Sequence, residues 1–462
     1  MKARLNQALA AIDESFWILP AILTAGGVLF ALMLVRLDQA GAVPDWMVES
    51  AWLYNGGAEG ARTLLGAVAS TTIGIAGTVF TITIAALSLA AQQMGPRLLH
   101  NFTRDRGNQT VLGAFLGTFS YALMVLRTVR TEAEGAFVPH LALTVGIGLA
   151  FVCVAMLVYF VGHMAGRINV DTVIDLVSKN VRRAIDGLSA DGPQSRPPPP
   201  VFWRDAVPVV DQRRGYLQQL DTASLAKWAA DRHTVIRLLV GPGDRVFPGA
   251  PIALVKPPVD GVEQAIRSAT ALGWDRSGAD DIEFAIRQLV EVAIRALSPG
   301  VNDPHTAISV IDRLGAALCD VAPLRLPSGV VLHEGKPGLV MPAVEYDGLV
   351  DVMFHMIRQS GSGSTAVLIR ILDVLTAAVS CERQPKRVAT LERHADLVMG
   401  DACRTIGNPD DLGDVQKRYR GFAAMKRSGP AAYLEAMASE QKTENALAPH
   451  LYDRLAANPG ET

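Results

Sequence analysis

The sequence predicts an α-helical membrane domain with four transmembrane helices. A cytosolic mixed α/β domain follows, with a small β unit and a mostly helical C-terminal part. Three observations predict it. Four charge-free runs, at 16–35, 63–96, 107–126 and 135–166, occupy the first third of the 462 residues. Each reaches the ~20 apolar residues that a helix needs to cross a ~30 Å hydrocarbon layer. The 296 residues from Arg167 onward hold no comparable run. Between the two regions stand four consecutive prolines, Pro197 to Pro200, which form an extended spacer rather than core. The chain is 19% charged against about 25% for an ordinary soluble protein, and the runs make that deficit local. A formal net charge of −2 gives no basic stripe for nucleic acid, and the composition excludes disorder as the main state.

The first run follows Lys2 and Arg4 but is longer than a secretory h-region, and no clear small-residue cleavage site precedes Arg36. It reads as a retained helix. The second run is 34 residues long, which at ~1.5 Å per residue exceeds the bilayer. Such a helix must tilt, bend near Gly74 or Gly77, or project toward Arg97. Expected spans are about 16–35, 63–92, 107–126 and 138–162. One set of flanks carries nine Lys and Arg and the other four, which places both termini in the cytoplasm. Trp17, Trp46 and Trp52 suit interface positions, as do His140 and His163 near the ends of the fourth run.

Residues 167–187 carry Val170, Val173, Ile174, Val177, Val181 and Ile185 at helical spacing, a cytosolic extension that ends the membrane domain at 187. A Pro-rich linker spans 188–206. In the β-rich unit, 207–256, strands are expected at 209–210, 216–220, 234–240 and 251–255, with a helix over 222–231. The pattern looks like half of a biotinyl- or lipoyl-type barrel sandwich. No Lys stands at a hairpin tip, so no cofactor is expected. Helices are expected at 261–272, 280–297, 304–319, 346–359, 365–380 and 385–404, with a hairpin at 330–340, in a helical domain over 257–425. The remainder, 426–462, reads as a polar tail, loose from 440 onward.

Within the second run, Thr71, Gly74, Thr78, Thr81, Ala85, Ser88 and Gln92 follow steps of 3 and 4 and form one small, weakly polar stripe. It reads either as a helix-packing seam or as the lining of a polar pathway in a homo-oligomer. No charge lies deep in any run, which weighs against ion-coupled transport. Glu283, Arg287, Glu291 and Arg295 form an i,i+4 ionic stripe, each pair adding ~0.2–0.5 kcal/mol to a helix surface. It reads as a solvated or subunit-facing edge, or as a buried network between subunits. The turn Ser298, Pro299, Gly300, Val301, Asn302, Asp303, Pro304 stops one helix and starts the next, with Asp303 as N-cap and Pro304 at the first helical position. Its polar groups also suit an anion at a helix N-terminus.

Residues 281–307, ending in Ala-Leu-Ser-Pro-Gly-Val-Asn-Asp-Pro-His-Thr-Ala, resemble the hallmark of a bacterial family of predicted membrane proteins labelled a domain of unknown function. Residues 80–101 and 119–130 resemble it too, and the likeness runs from the first membrane helix to about Asp401. Trp274 to Asp280 departs from the family's usual pattern. The resemblance implies four membrane helices and a cytosolic domain, and no activity.

No nucleophile elbow, Walker loop, HExxH or dinucleotide fingerprint is present, so no enzyme is expected. His233, His333, His355 and His394 stand singly and read as structural or surface residues, and the scattered Cys153, Cys319, Cys381 and Cys403 make no zinc site or disulfide framework. No metal is expected. The expectation for function is an oligomeric passive channel lined by the second helix and gated by the cytosolic domain, in a lipid bilayer, with its ligand unidentified. A non-conducting membrane scaffold or sensor that binds a partner is the alternative.

Overall fold

The computed structural model describes residues 16–40, 57–94, 105–130, 137–188, 195–274, 276 and 281–438. Lys2, Arg4, Trp46, Trp52, the turn at 191–193, most of 274–280 and the tail from 439 lie outside the described residues. The chain divides into two compact units at 172/173.

The first unit holds four helices long and apolar enough to cross a membrane. These are α1 (Ile18–Gln39), α2 (Ala58–Met94), α3 (Arg106–Leu126) and α4 (His140–Ile168). The second is one continuous helix of 37 residues. Their core is formed by Ala31, Leu65, Phe115, Tyr121, Val125 and Leu143. Polar groups gather at the helix ends. The Asp38 carboxylate accepts from the Leu141 and Ala142 amides at 3.1 and 3.0 Å, taking up donors that the first turn of α4 leaves unpaired. The Tyr121 hydroxyl donates to Ala142 O at 2.6 Å. Asp105 caps α3 through the Gly107 amide and meets His163 Nε2 at 2.7 Å.

The second unit takes in most of α5 (Val170–Asp186), whose Val173, Ile174, Val177, Val181 and Ile185 are buried as the spacing predicts. Its strands are β1 (Val207–Val210), β2 (Gly215–Leu220), β3 (Val235–Leu238), β4 (Arg245–Val246), β5 (Pro251–Lys256), β6 (Thr270–Gly273), β7 (Val330–His333) and β8 (Lys336–Val340). They form a five-stranded sheet, β1-β5-β3-β8-β7, and a three-stranded one, β4-β2-β6. The hairpin at 330–340 thus joins the β unit, pairing parallel to β3 across about a hundred residues. Glu334 and Gly335, both at positive φ, make its tight turn. Helix α6 (Thr222–Asp231), capped by Asp221, packs on that hairpin. The approach is so close that a Cβ at Gly338 would stand 2.3 Å from Ala226 O.

Further helices are α7 (Val262–Ala269), α8 (Ile282–Ala296), α9 (Pro304–Val321), α10 (Tyr346–Ser360), α11 (Thr365–Cys381), α12 (Pro385–Thr405) and α13 (Pro409–Ser428). Two expectations change. The helix expected over 261–272 ends at Ala269, because Thr270 turns extended and pairs with Leu220 of β2. Past 404, where the helical domain is expected to run to 425 with no further helix assigned, the chain forms α13, capped by Asn408 and burying Val415, Phe422 and Ala424.

A buried charge ties the two sheets' connections together. Asp211 accepts from Arg213 Nε at 2.9 Å and Nη2 at 2.6 Å, and Arg213 reaches on to the Thr270 hydroxyl at 2.8 Å. Burial pushes the Asp211 carboxyl up, but its bonds to Arg213 outweigh that, and Arg267 adds to them, so it sits below its ordinary value. A depressed folded pKa gives stability that is complete above the unfolded value of ~3.9 and is lost as pH falls through the folded value. Thermal unfolding of Asp211→Asn should therefore fall well below wild type at pH 7, and the gap should close below pH ~4. A gap that stays constant with pH would show that the charge contributes nothing.

Candidate functional site

In α2 the stripe lies opposite the face that packs on the described residues of the first unit. Thr71, Gly74, Thr78, Thr81, Ala85 and Ser88 are all exposed, while Ala61, Leu65, Ala69, Thr72, Ala76, Val79 and Ala86 form the buried face. At ~100° per residue the two sets lie on opposite sides of the helix. A Cβ added at Gly74 or Gly77 would meet nothing within 4 Å. The side chain of Gln92 lies outside the described residues. Hydroxyl protons are spent inside the helix, with Thr78 Oγ1 donating to Gly74 O at 3.2 Å and Thr81 Oγ1 to Gly77 O at 2.9 Å. Their lone pairs are left facing outward. Elsewhere the exposed membrane face is made of large apolar groups, as with Phe151, Val154, Val158 and Val161 on α4.

The 298–304 corner is built from its own residues. Ser298 Oγ donates to Arg295 O at 2.6 Å, the Asn302 amide to Ser298 O at 2.9 Å, and the Asp303 amide to Ala296 O at 2.7 Å. Asn302 takes a left-handed φ of 48°, where asparagine is tolerated, while Pro299 and Gly300 form the turn and Pro304 opens α9. The Asp303 carboxylate accepts from both the amide (3.1 Å) and hydroxyl (2.6 Å) of Thr306, so it already stands at the positive end of α9. The Thr306 hydroxyl and the Thr306 and His305 amides hold its pKa below the ordinary range.

On α8, Arg287 meets Glu283 at 2.5 Å and Arg295 meets Glu291 at 3.7 Å. Arg276, just before α8, joins Glu283 at 3.1 Å and the α8 cap Asp281 at 2.9 Å. Burial raises the Glu283 carboxyl, but the two guanidiniums, Arg287 foremost, bring it below its ordinary value.

A fourth constellation escapes the sequence reading. Asp351 and His355, four residues apart on α10, meet His394 of α12. Asp351 Oδ1 lies 3.1 Å from His355 Nε2 and 2.8 Å from His394 Nε2, and the Arg393 guanidinium also pairs with it. His394 is buried, which pushes its pKa down to about 4 against the pull of Asp351, so the ring is neutral at pH 7. Its Nδ1 is buried with no hydrogen-bond partner among the described residues. Spacing i,i+4 marks the first two residues as neighbours; nothing local marks His394.

The family model described as Predicted membrane protein (DUF2254) matches residues 13–377, taking in α1 to α10 and most of α11. This chain belongs to that family. Uncharacterized proteins of Mycobacterium tuberculosis and Mycobacterium bovis are 32% identical to it over 426 residues, covering 88% of this chain and 80% of theirs. No solved structure matches it. The DUF2254 match contains the α2 stripe, the ionic stripe, the 298–304 corner, Asp351 and His355; His394 lies beyond its end.

Proposed function

We propose that this DUF2254 protein is a homo-oligomeric passive channel of the bacterial inner membrane, lined by α2 and gated by its cytosolic second unit. The observation that supports it is the stripe from Thr71 to Ser88, which lies opposite the packed face of its own helix. A row of small residues and outward lone pairs gains little from acyl chains and suits either water or a second backbone. Both termini are cytoplasmic in this reading, on the nine-to-four excess of Lys and Arg in the flanks. No catalytic step is part of it.

Purified protein in planar bilayers tests the proposal. Conductance under voltage or tension is expected, and Thr78→Trp should cut single-channel conductance at least several-fold while oligomer size in detergent stays the same. Silence under both stimuli would overturn it. The same stripe also favours a second reading, a non-conducting scaffold in which copies of α2 meet closely. There, Thr78→Trp abolishes assembly and no current flows in either protein.

A further inference from the structure

We infer that Asp351, His355 and His394 form a binding site for a divalent transition-metal ion of the zinc class. The site is independent of the channel reading and lies wholly in the second unit. Its three donor atoms lie within 4.8 Å of one another. Around a tetrahedral ion with bonds of ~2.0–2.1 Å, donors sit about 3.3 Å apart. The 3.1 and 2.8 Å separations of the two imidazole nitrogens from the carboxylate oxygen are close to that spacing, so small side-chain adjustments admit an ion.

The three residues divide the work. His394 is 1% exposed and its ring stands edge-on to Phe354, which fixes one ligand in place. Nδ1 has no partner among the described residues, so Nε2, which faces Asp351, is the nitrogen that takes the ion, and the ring proton passes to Nδ1. His355 and Asp351 are 33% and 36% exposed, leaving one side of the site open for entry and for a water ligand. Two imidazoles with one carboxylate suit zinc-like ions, whereas magnesium and calcium take oxygen donors. Arg393 now supplies the positive charge that Asp351 needs. It is 45% exposed on a long arm, so an arriving ion displaces it into solvent.

Full-length protein in detergent, stripped with chelator and titrated with Zn²⁺ against a chromophoric competitor, tests this. One ion per chain is expected. His355→Ala and Asp351→Asn should each weaken binding by more than the ~10–100-fold that a lost outer partner costs. Arg393→Gln should bind at least as tightly as wild type, and excess Mg²⁺ should not compete. Co²⁺ should give a visible absorption band of a four-coordinate ion in wild type and none in His355→Ala. His394→Ala removes a buried ring and risks unfolding, so the half-exposed His355 carries the test. Equal affinity and stoichiometry in wild type, His355→Ala and Asp351→Asn would overturn the assignment, as would effective competition by Mg²⁺.

Discussion

Gly27→Leu is expected to unfold the membrane unit, whereas Gly26→Leu, one residue away, leaves it folded. On α1, a Cβ at Gly27 would stand 2.3 Å from Gly117 O and 2.9 Å from Gly117 C. The obstacle is backbone, so no rotamer change relieves it. Across the interface the crowding is mutual, since a Cβ at Gly117 would come 2.9 Å from Leu23 O, and one at Gly113 2.5 Å from Leu23 Cδ1. Gly113 and Gly117, four apart on α3, thus make the small-residue ridge that lets membrane helices touch. Ordinary overpacking costs ~1–3 kcal/mol where side chains can yield, and a backbone clash exceeds that range. At Gly26 an added Cβ meets nothing within 4 Å, and leucine improves helix propensity by up to ~1 kcal/mol. The thermal midpoint and folded yield of the two variants in detergent check this. Equal midpoints would show that α1 and α3 do not cross at these glycines.

That crossing also shows what sequence could and could not disclose. Hydropathy alone located the four spans, because lipid demands an unbroken apolar helix and charges interrupt everywhere else. The cap at Asp303 began its helix where side-chain chemistry predicted. Helix α13 was invisible for the opposite reason: its buried side is only Val415, Gly421, Phe422 and Ala424 among twenty largely polar residues, and packing against α11 rather than periodicity holds it. Thr270–Gly273 was absorbed into the preceding helix because nothing local announces that β2 will pair with it. The parallel pairing of β3 with β8 is a long-range decision of the same kind.

The candidate sites follow the same division. The spacing of Thr71 to Ser88 put those residues on one face of a helix, but only the packing of α2 on α3 and α4 shows that this face lies opposite the packed one. At 298–304, turn chemistry was legible residue by residue, since every bond there closes within eight positions. His394 reaches Asp351 only because α12 packs beside α10, a contact that no motif of fixed spacing encodes.

Arg387→Ala should destabilise the second unit by about 3–5 kcal/mol, the cost of breaking a buried ion pair from one side. Arg387, in the first turn of α12, is 8% exposed at its side chain, and its partner Glu382 is 1% exposed. Its Nη1 donates to Ala322 O at 3.2 Å and Val321 O at 3.4 Å, and Nη2 donates to Leu324 O at 3.1 Å. Those carbonyls lie at and just past the C-terminal end of α9, where α-helical geometry leaves acceptors unpaired and favours a cation. The guanidinium also stands over the Tyr346 ring, 4.9 Å from its centre. Glu382 is held independently, because its Oε1 accepts the Arg383 and Gln384 amides at 2.8 Å each. Alanine therefore strips Ala322 O and Leu324 O of this donor, leaves Val321 O with the Leu324 amide, and leaves a fixed carboxylate facing an apolar hole. Arg387→Met restores bulk but not charge, so it should recover only the packing share. Adding Glu382→Gln to Arg387→Met removes the stranded charge and should recover more, and Glu382→Gln alone closes the cycle, giving a coupling that separates the ion pair from the carbonyl bonds. Denaturant unfolding of the full chain in detergent measures wild type and the four variants. An Arg387→Ala loss within about 1 kcal/mol of wild type, the range of an exposed pair, would mean that this guanidinium is solvated rather than clamping α9 to α12.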